Sequence, residues 1–258
     1  MDVLTDIADL KPERLDSRLY SALYKRGEEF FVDHLLCSDL FFGADPFEGS
    51  ERNAFLNQRY RENRRSYTSY LRKKDYTSVL VLLNKHHKMP WFIKFHQKIF
   101  MQYGERKYYE LLAEMLTYVD HHEPFRAIYQ QLLAMGSNTL AMMSAKEQRL
   151  YSRLPDSFTI YRGVCVKNPI TTITEKHRKL LVGYSWTLKM KKAVWFATNH
   201  GPKFTPPPFT PAILSYEIQK RDTVAYFHDR KEYEIFVEPQ KIDLSKIKIQ
   251  LLPSHGKR

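Results

Sequence analysis

The feature that most constrains this chain is a change of pattern near residue 152. From Asn53 to Tyr151 apolar residues recur at helical spacing, and after Pro155 they come in short runs rich in β-branched and aromatic residues. The first pattern predicts helices over Asn53–Lys74, Thr77–Lys88, Trp91–Tyr103, Lys107–Val119, Pro124–Ala134 and Leu140–Tyr151. Breaks are expected at Met89-Pro90, Gly104, Glu123-Pro124 and Gly136-Ser137-Asn138. Ahead of them Leu15, Leu19, Leu23, Phe30, Phe31 and Leu35 predict one more helix over Leu15–Leu36, ended by Gly43 and Pro46. The second pattern predicts strands at Phe158–Arg162, Gly183–Thr187, Ala212–Ile218, Thr223–Tyr226, Glu232–Val237 and Ile247–Leu252, with helices at Glu175–Leu181 and Lys189–Ala197. The chain therefore reads as α+β, a helical lobe over 1–151 followed by a strand-rich domain over 152–258.

Charge is unevenly spread. Residues 1–50 hold 5 Lys/Arg against 11 Asp/Glu, residues 51–98 hold 12 against 3, and residues 151–258 hold 19 against 9. Two basic blocks behind an acidic start suit a polyanionic partner, with the acidic segment able to close over a basic face; a merely solvated basic surface is the plain alternative. Within Asn53–Lys74, Arg61 and Arg65 share a helix face, and Tyr60, Tyr67 and Tyr70 sit among the arginines. Cations for phosphate and rings for bases suit nucleic acid, although tyrosines also pack helices. No apolar run is long enough to span a bilayer, and Met1–Leu10 is acidic where a signal peptide is basic and apolar. With only Cys37 and Cys165, a reduced, cytoplasmic compartment is expected, delivery by a secretion machine aside.

The chemistry centres on Glu232-Tyr233-Glu234-Ile235-Phe236-Val237. In a strand running through it, Glu232 and Glu234 stand side by side with Tyr233 on the other face. Close carboxylates repel, so such a pair answers to a cation, a donor or a substrate; two solvated acids on an edge strand are the bland reading. Asp120-His121-His122-Glu123 and His86-His87 lack the partner motifs of a metal site and are expected to hold none.

Two further stretches precede the glutamates: Phe158-Thr159-Ile160-Tyr161-Arg162-Gly163-Val164, a strand ending on Arg-Gly, and Gly183-Tyr184-Ser185-Trp186-Thr187, an aromatic-Ser-x-Thr run before a helix. In that order the three resemble the arginine–serine–glutamate class of mono-ADP-ribosyltransferases, over roughly the last hundred residues. Trp186 departs from the family, which more often has a small hydroxyl residue there. The resemblance implies two small mixed sheets packed around an NAD cleft and no metal.

It also implies roles. Glu234 would stabilise the oxocarbenium-like cation formed as the nicotinamide–ribose bond breaks, and Glu232 would orient or deprotonate the acceptor. Arg162 would pair with an NAD phosphate, Gly163 would let the main chain approach nicotinamide, Ser185 would fix Glu234, and Thr187 would support the wall. Phe196, beside Trp195, would contact nicotinamide, and Phe227, His228, Asp229 and Arg230 would form the acceptor loop. Together with Arg61 and Arg65 these residues imply a toxin of the toxin–antitoxin or anti-phage kind, acting on RNA and held by an antitoxin protein. The alternatives are an effector that modifies arginine on a host protein, and a non-catalytic RNA-binding module on the same scaffold.

Overall fold

In the computed structural model the described residues are 15–26, 29–39, 50–119, 122–166, 170, 172–203, 205, 208–228 and 232–253. They form two compact units. The first comprises the described residues of Met1–Gly104 and Glu114–Asp120, and the second those of Glu105–Ala113 and His121–Arg258.

In the first unit, strands β1 (Leu23–Arg26), β2 (Glu29–His34) and β3 (Cys37–Asp39) form an antiparallel meander behind a 3₁₀ turn at Ser17–Ala22. The helix expected over Leu15–Leu36 is therefore absent. Leu15, Leu19, Leu23, Phe31 and Leu35 lie at multiples of four, a spacing that period two satisfies as well as a helix does. The aromatic and β-branched run Phe30-Phe31-Val32 favours the extended alternative. Leu23 pairs with Val32, and both are buried.

Helices α1 (Ser50–Arg72), α2 (Tyr76–Leu82) and α3 (Lys85–Tyr118) follow. Asp75 caps α2 by accepting from the Ser78 N–H at 3.1 Å. α3 runs through the expected break at Pro90, which falls in its second turn and is flanked by the buried Met89, Trp91 and Phe92. One missing N–H bond there is outweighed by that apolar burial. At Gly104 the chain does kink, with φ 76° and ψ 174°, so the glycine interrupts the helix as its sequence position suggests.

The second unit holds a six-stranded sheet in the order β7-β8-β5-β4-β6-β9, with β4 Ser157–Val166, β5 Ser185–Thr187, β6 Thr210–Gln219, β7 Thr223–Phe227, β8 Glu234–Val237 and β9 Lys248–Leu251. Every ladder among the described residues is antiparallel, so the unit has one antiparallel sheet in place of two mixed ones. β4 and β6 pair from Ser157–Gln219 to Val166–Thr210 and form its spine.

Four helices serve the sheet: α4 (Arg126–Leu133), α5 (Ala145–Ser152), α6 (Glu175–Leu181) and α7 (Met190–Trp195), the last passing into a π-helical turn at Phe196–His200. α4 and α5 belong by sequence pattern to the helical half yet pack in this unit. A Cβ on Gly163 would lie 2.0 Å from the Ala193 carbonyl oxygen and 2.6 Å from the Ala197 nitrogen. Glycine at this position lets α7 lie directly on β4.

Candidate active site

The three motif stretches fall on neighbouring strands. β8 carries Glu234, β5 carries Ser185 and Thr187, β4 carries Arg162, and β5 lies between the other two. Partners in an antiparallel ladder share a face. Thr187 pairs with Glu234 on one side and Tyr161 on the other, and Phe227 pairs with Glu234 from β7. Tyr161, Thr187, Glu234 and Phe227 therefore make one row across four strands. Ser185 stands opposite Phe236, so the hydroxyl residue facing Glu234 is Thr187 and not Ser185, as the resemblance had it.

The strand expected from Glu232 begins only at Glu234, because Tyr233 takes a left-handed φ of 53°. That conformation ends the alternation which would set Glu232 beside Glu234. Two bonds hold the turn. The Thr187 hydroxyl donates to the Glu232 carbonyl at 2.6 Å, and the Leu188 N–H donates to the Tyr233 carbonyl at 3.0 Å. Thr187 Oγ1 also accepts from the Lys189 N–H at 3.1 Å, which fixes the chain leading into α7. Lys189 Nζ lies 5.0 Å from the Tyr233 ring centre, and His228 meets the same ring edge-on at 5.0 Å.

Arg162 reaches into the loop ahead of β5. Its Nε donates to the Leu181 carbonyl at 2.9 Å and its Nη1 to the Ser185 carbonyl at 2.5 Å. A Cβ at Gly183 would lie 2.5 Å from Arg162 Nη2, so this glycine makes room for the guanidinium. Burial, and next the charge of Arg126, push Arg162 down to about 10, while Glu234 favours its charged form. At neutral pH it is still charged. Arg126 on α4 donates to the carbonyls of Arg178 (3.1 Å) and Val182. Glu234 is itself buried at 8% exposure, so its carboxylate lies in a site where two guanidinium charges act on one another.

An aromatic wall backs this arrangement. Tyr184 stacks on Phe236 at 5.2 Å between ring centres, Tyr129 meets Tyr184 edge-on at 4.9 Å, and His122 Nδ1 lies 2.8 Å from the Tyr129 hydroxyl. Burial, followed by Tyr184 and Glu234, raises the Tyr129 phenol above its ordinary range, so it stays protonated. No motif marked Arg126 or Tyr129, and His122 stood out only as part of a metal motif that lacked its partners. Only Tyr184, inside the aromatic-Ser-x-Thr run, was legible.

The remaining expected residues divide. Phe227 is buried and packs on Phe236, so it is a wall residue and does not present its ring to an acceptor. His228 is half-buried; its N–H donates to Glu147 Oε1 at 2.7 Å, and its ring lies 2.9 Å from the Tyr226 hydroxyl. Glu147 also closes the capping box of α5 with Ser144, so one carboxylate ties α5 to the end of β7. Asp229 and Arg230 lie outside the described residues. The main chain of α7 fills the space beside Gly163, where a close approach by nicotinamide was expected. Phe196 is half-buried in a cluster with Trp195 and His200 on the π-helical turn. Arg61 and Arg65 belong to the other unit. No group of three or more metal-ligating side chains occurs among the described residues, whereas Asp120 and His121 of the rejected metal motif lie outside them. No helix among the described residues is long and apolar enough to cross a membrane.

No protein family, curated protein or solved structure matches the chain.

Proposed function

We propose that the chain is an NAD-dependent mono-ADP-ribosyltransferase with nucleic acid, most simply RNA, as its acceptor. One observation carries this reading. The strand bearing Glu234, the Ser185–Thr187 strand and the strand bearing Arg162 are adjacent in the sheet, although 72 residues separate Arg162 from Glu234 in the chain.

The residues present fit NAD as the second substrate. A buried carboxylate near cationic groups is the device that favours a developing ribosyl cation. The guanidinium groups of Arg162 and Arg126 bond main-chain carbonyls, so they supply nearby positive charge in place of the phosphate pairing that the resemblance implied for Arg162. NAD supplies an N-glycosidic bond whose electron pair leaves with nicotinamide. Glu234 lies on the fixed end of β8, so its charge needs no reorganisation when positive charge develops at the ribose. Thr187 sets where Glu234 begins by holding the Glu232 carbonyl. Glu232, on the far side of the Tyr233 turn, is half-buried, and its role in this reading is to take the acceptor's proton. Arg162 supports this geometry by clamping the Leu181–Ser185 loop, and with Arg126 it makes the surroundings cationic. In a basic chain, a toxin restrained by an antitoxin protein remains the matching biological setting.

Radiolabelled NAD offered side by side to total RNA and total protein tests the reading. Label in RNA is expected. Label in protein alone moves the assignment to an arginine-modifying effector, and label in neither leaves a non-catalytic module.

A further inference from the structure

The first unit carries a basic groove that the candidate active site does not use. Arg18, Arg61, Arg64, Arg65, Arg72 and Lys73 line an open pocket of about 620 Å³ together with two hydroxyl residues. Helix α1 builds most of it. Arg61, Arg65, Thr68 and Arg72 follow one another at helical spacings of four, three and four, a stripe of about 16 Å along the axis. Arg18 enters from the 3₁₀ turn. Asp16 holds it (Oδ1 accepts from Nε at 2.7 Å), and its guanidinium carbon sits 5.2 Å from the centre of the Tyr60 ring. The Asp16 N–H donates to Asn57 Oδ1 at 2.7 Å, which fastens that turn to α1.

The groove's positive charge is only partly offset: Asp16 pairs with Arg18 and acts at longer range on Arg61, and Asp75 acts on Lys73. Arg61, Arg64, Arg65, Arg72 and Lys73 make no ion pair among the described residues. Glu62 on the same helix accepts from the Gln58 amide at 2.9 Å and does not line the groove. Six cations around one concavity repel each other, and the arrangement is relieved by a ligand with several negative charges.

Three observations select the ligand. Five of the six cations are arginines, whose forked guanidinium groups match phosphate oxygens. Among the described residues no large apolar side chain lines the groove, whereas a helix that docks on a lipid surface presents one. Among the described residues no aromatic ring lines it either. Tyr60 is buried at 5% exposure, and the Tyr67 hydroxyl accepts from the Trp91 indole at 3.0 Å, so these two rings pack the unit, and the half-buried Tyr70 does not line the groove; α1 therefore offers it no platform for unstacked bases.

We infer that this groove binds the phosphate backbone of a double-helical nucleic acid, without reading its bases. The site is independent of the transfer chemistry. Its use as the docking face for the RNA acceptor is the one part that rests on the proposed activity.

The test is fluorescence anisotropy on the whole chain with a 20-base-pair RNA duplex, the matching DNA duplex, a single strand of equal length, and phosphatidylserine vesicles, over a salt titration. Duplexes are expected to bind more tightly than the single strand, and unrelated sequences to bind alike. The charge-reducing pair Arg61→Gln/Arg65→Gln should weaken duplex binding about 10-fold or more and lower the slope of log affinity against log salt by about 2. Tighter binding to RNA than to DNA identifies RNA as the source, and equal binding assigns either duplex. Preference for the single strand, stronger binding to vesicles, or an unchanged salt slope in the double variant overturns the inference. Nicotinamide release from NAD, read in parallel, separates the two claims. Unchanged release with lost duplex binding supports the groove as a separate site, and absent release in the wild type removes the transferase reading without touching the groove.

Discussion

The Thr187 hydroxyl donates to the main-chain carbonyl of Glu232 at 2.6 Å while its own residue pairs across the ladder with Glu234. One buried threonine thus spans the turn that separates the two glutamates. Replacing it with valine keeps the shape but leaves the Glu232 carbonyl and the Lys189 N–H without that partner. A loss of about 1–3 kcal/mol is expected in urea unfolding, with a fall in nicotinamide release. Thr187→Ser should restore most of both, and failure of serine to do so would point to the methyl group as the important part.

Gly163 and Gly104 should respond differently to alanine. At Gly163 the new Cβ meets main chain on α7 at 2.0 and 2.6 Å, which cannot swing aside, so Gly163→Ala should cost about 1–3 kcal/mol. At Gly104 nothing lies within 4 Å, and the penalty comes from the main chain alone, since φ 76° with ψ 174° is a region almost confined to glycine, at about 1–3 kcal/mol. Hydrogen exchange separates the two: Gly163→Ala should raise exchange over residues 190–200 and Gly104→Ala should not, and unchanged exchange there contradicts the close contact at Gly163.

Arg162→Lys keeps the charge but loses the fork that reaches the Leu181 and Ser185 carbonyls together. The loop entering β5 should loosen, so hydrogen exchange over residues 181–185 is expected to rise along with a fall in turnover. Unchanged exchange with unchanged turnover would show that the clamp is dispensable.

In the first unit, pH acts through Asp33 and two histidines. Hydrogen bonding to Asp33 raises His87 above 6.5, and the same contact lowers Asp33 below 3.8. His87 Nε2 lies 3.0 Å from the Asp33 carbonyl oxygen and 3.3 Å from Oδ1, while His86 Nδ1 lies 3.6 Å from Oδ2. A raised histidine stabilises fully below its unfolded value, and that contribution is lost as pH climbs through the folded one. Asp33's share is lost instead as pH falls through its depressed value. Loss of solvent around the half-buried His34 lowers it, so its share is present above 6.5 and fades on acidification. The wild type should therefore exceed His87→Gln in urea midpoint near pH 6, with the gap closing as pH rises. A gap that is constant with pH contradicts the pairing.

How much of this was legible varied with the kind of signal. Each expected strand of the second unit and helix α6 is present, because turn residues bound each run and the sheet face supplies an alternating or continuous apolar set, although β4 runs on to Val166 and β8 starts two residues late. The sheet β1–β3 was misread as helix because leucines at multiples of four satisfy both periods. The side-by-side placement of Glu232 and Glu234 failed at a single dihedral, φ of Tyr233, which no propensity announces for a tyrosine. Arg126 and Tyr129 carry no local motif and enter only because α4 packs near β5 and β8, whereas His122 sits in a stretch whose pattern pointed to metal and whose ring instead meets Tyr129 and Phe236.

In the proposed reaction the carboxylate of Glu234 works on the glycosidic bond of NAD. Nicotinamide release by the wild-type chain and by Glu234→Gln, followed by chromatography, measures this step, with circular dichroism confirming that both are folded. Release is expected from the wild type, with a fall of about 100-fold or more in the variant at unchanged helix and strand content. Equal release by the two folded proteins would contradict it.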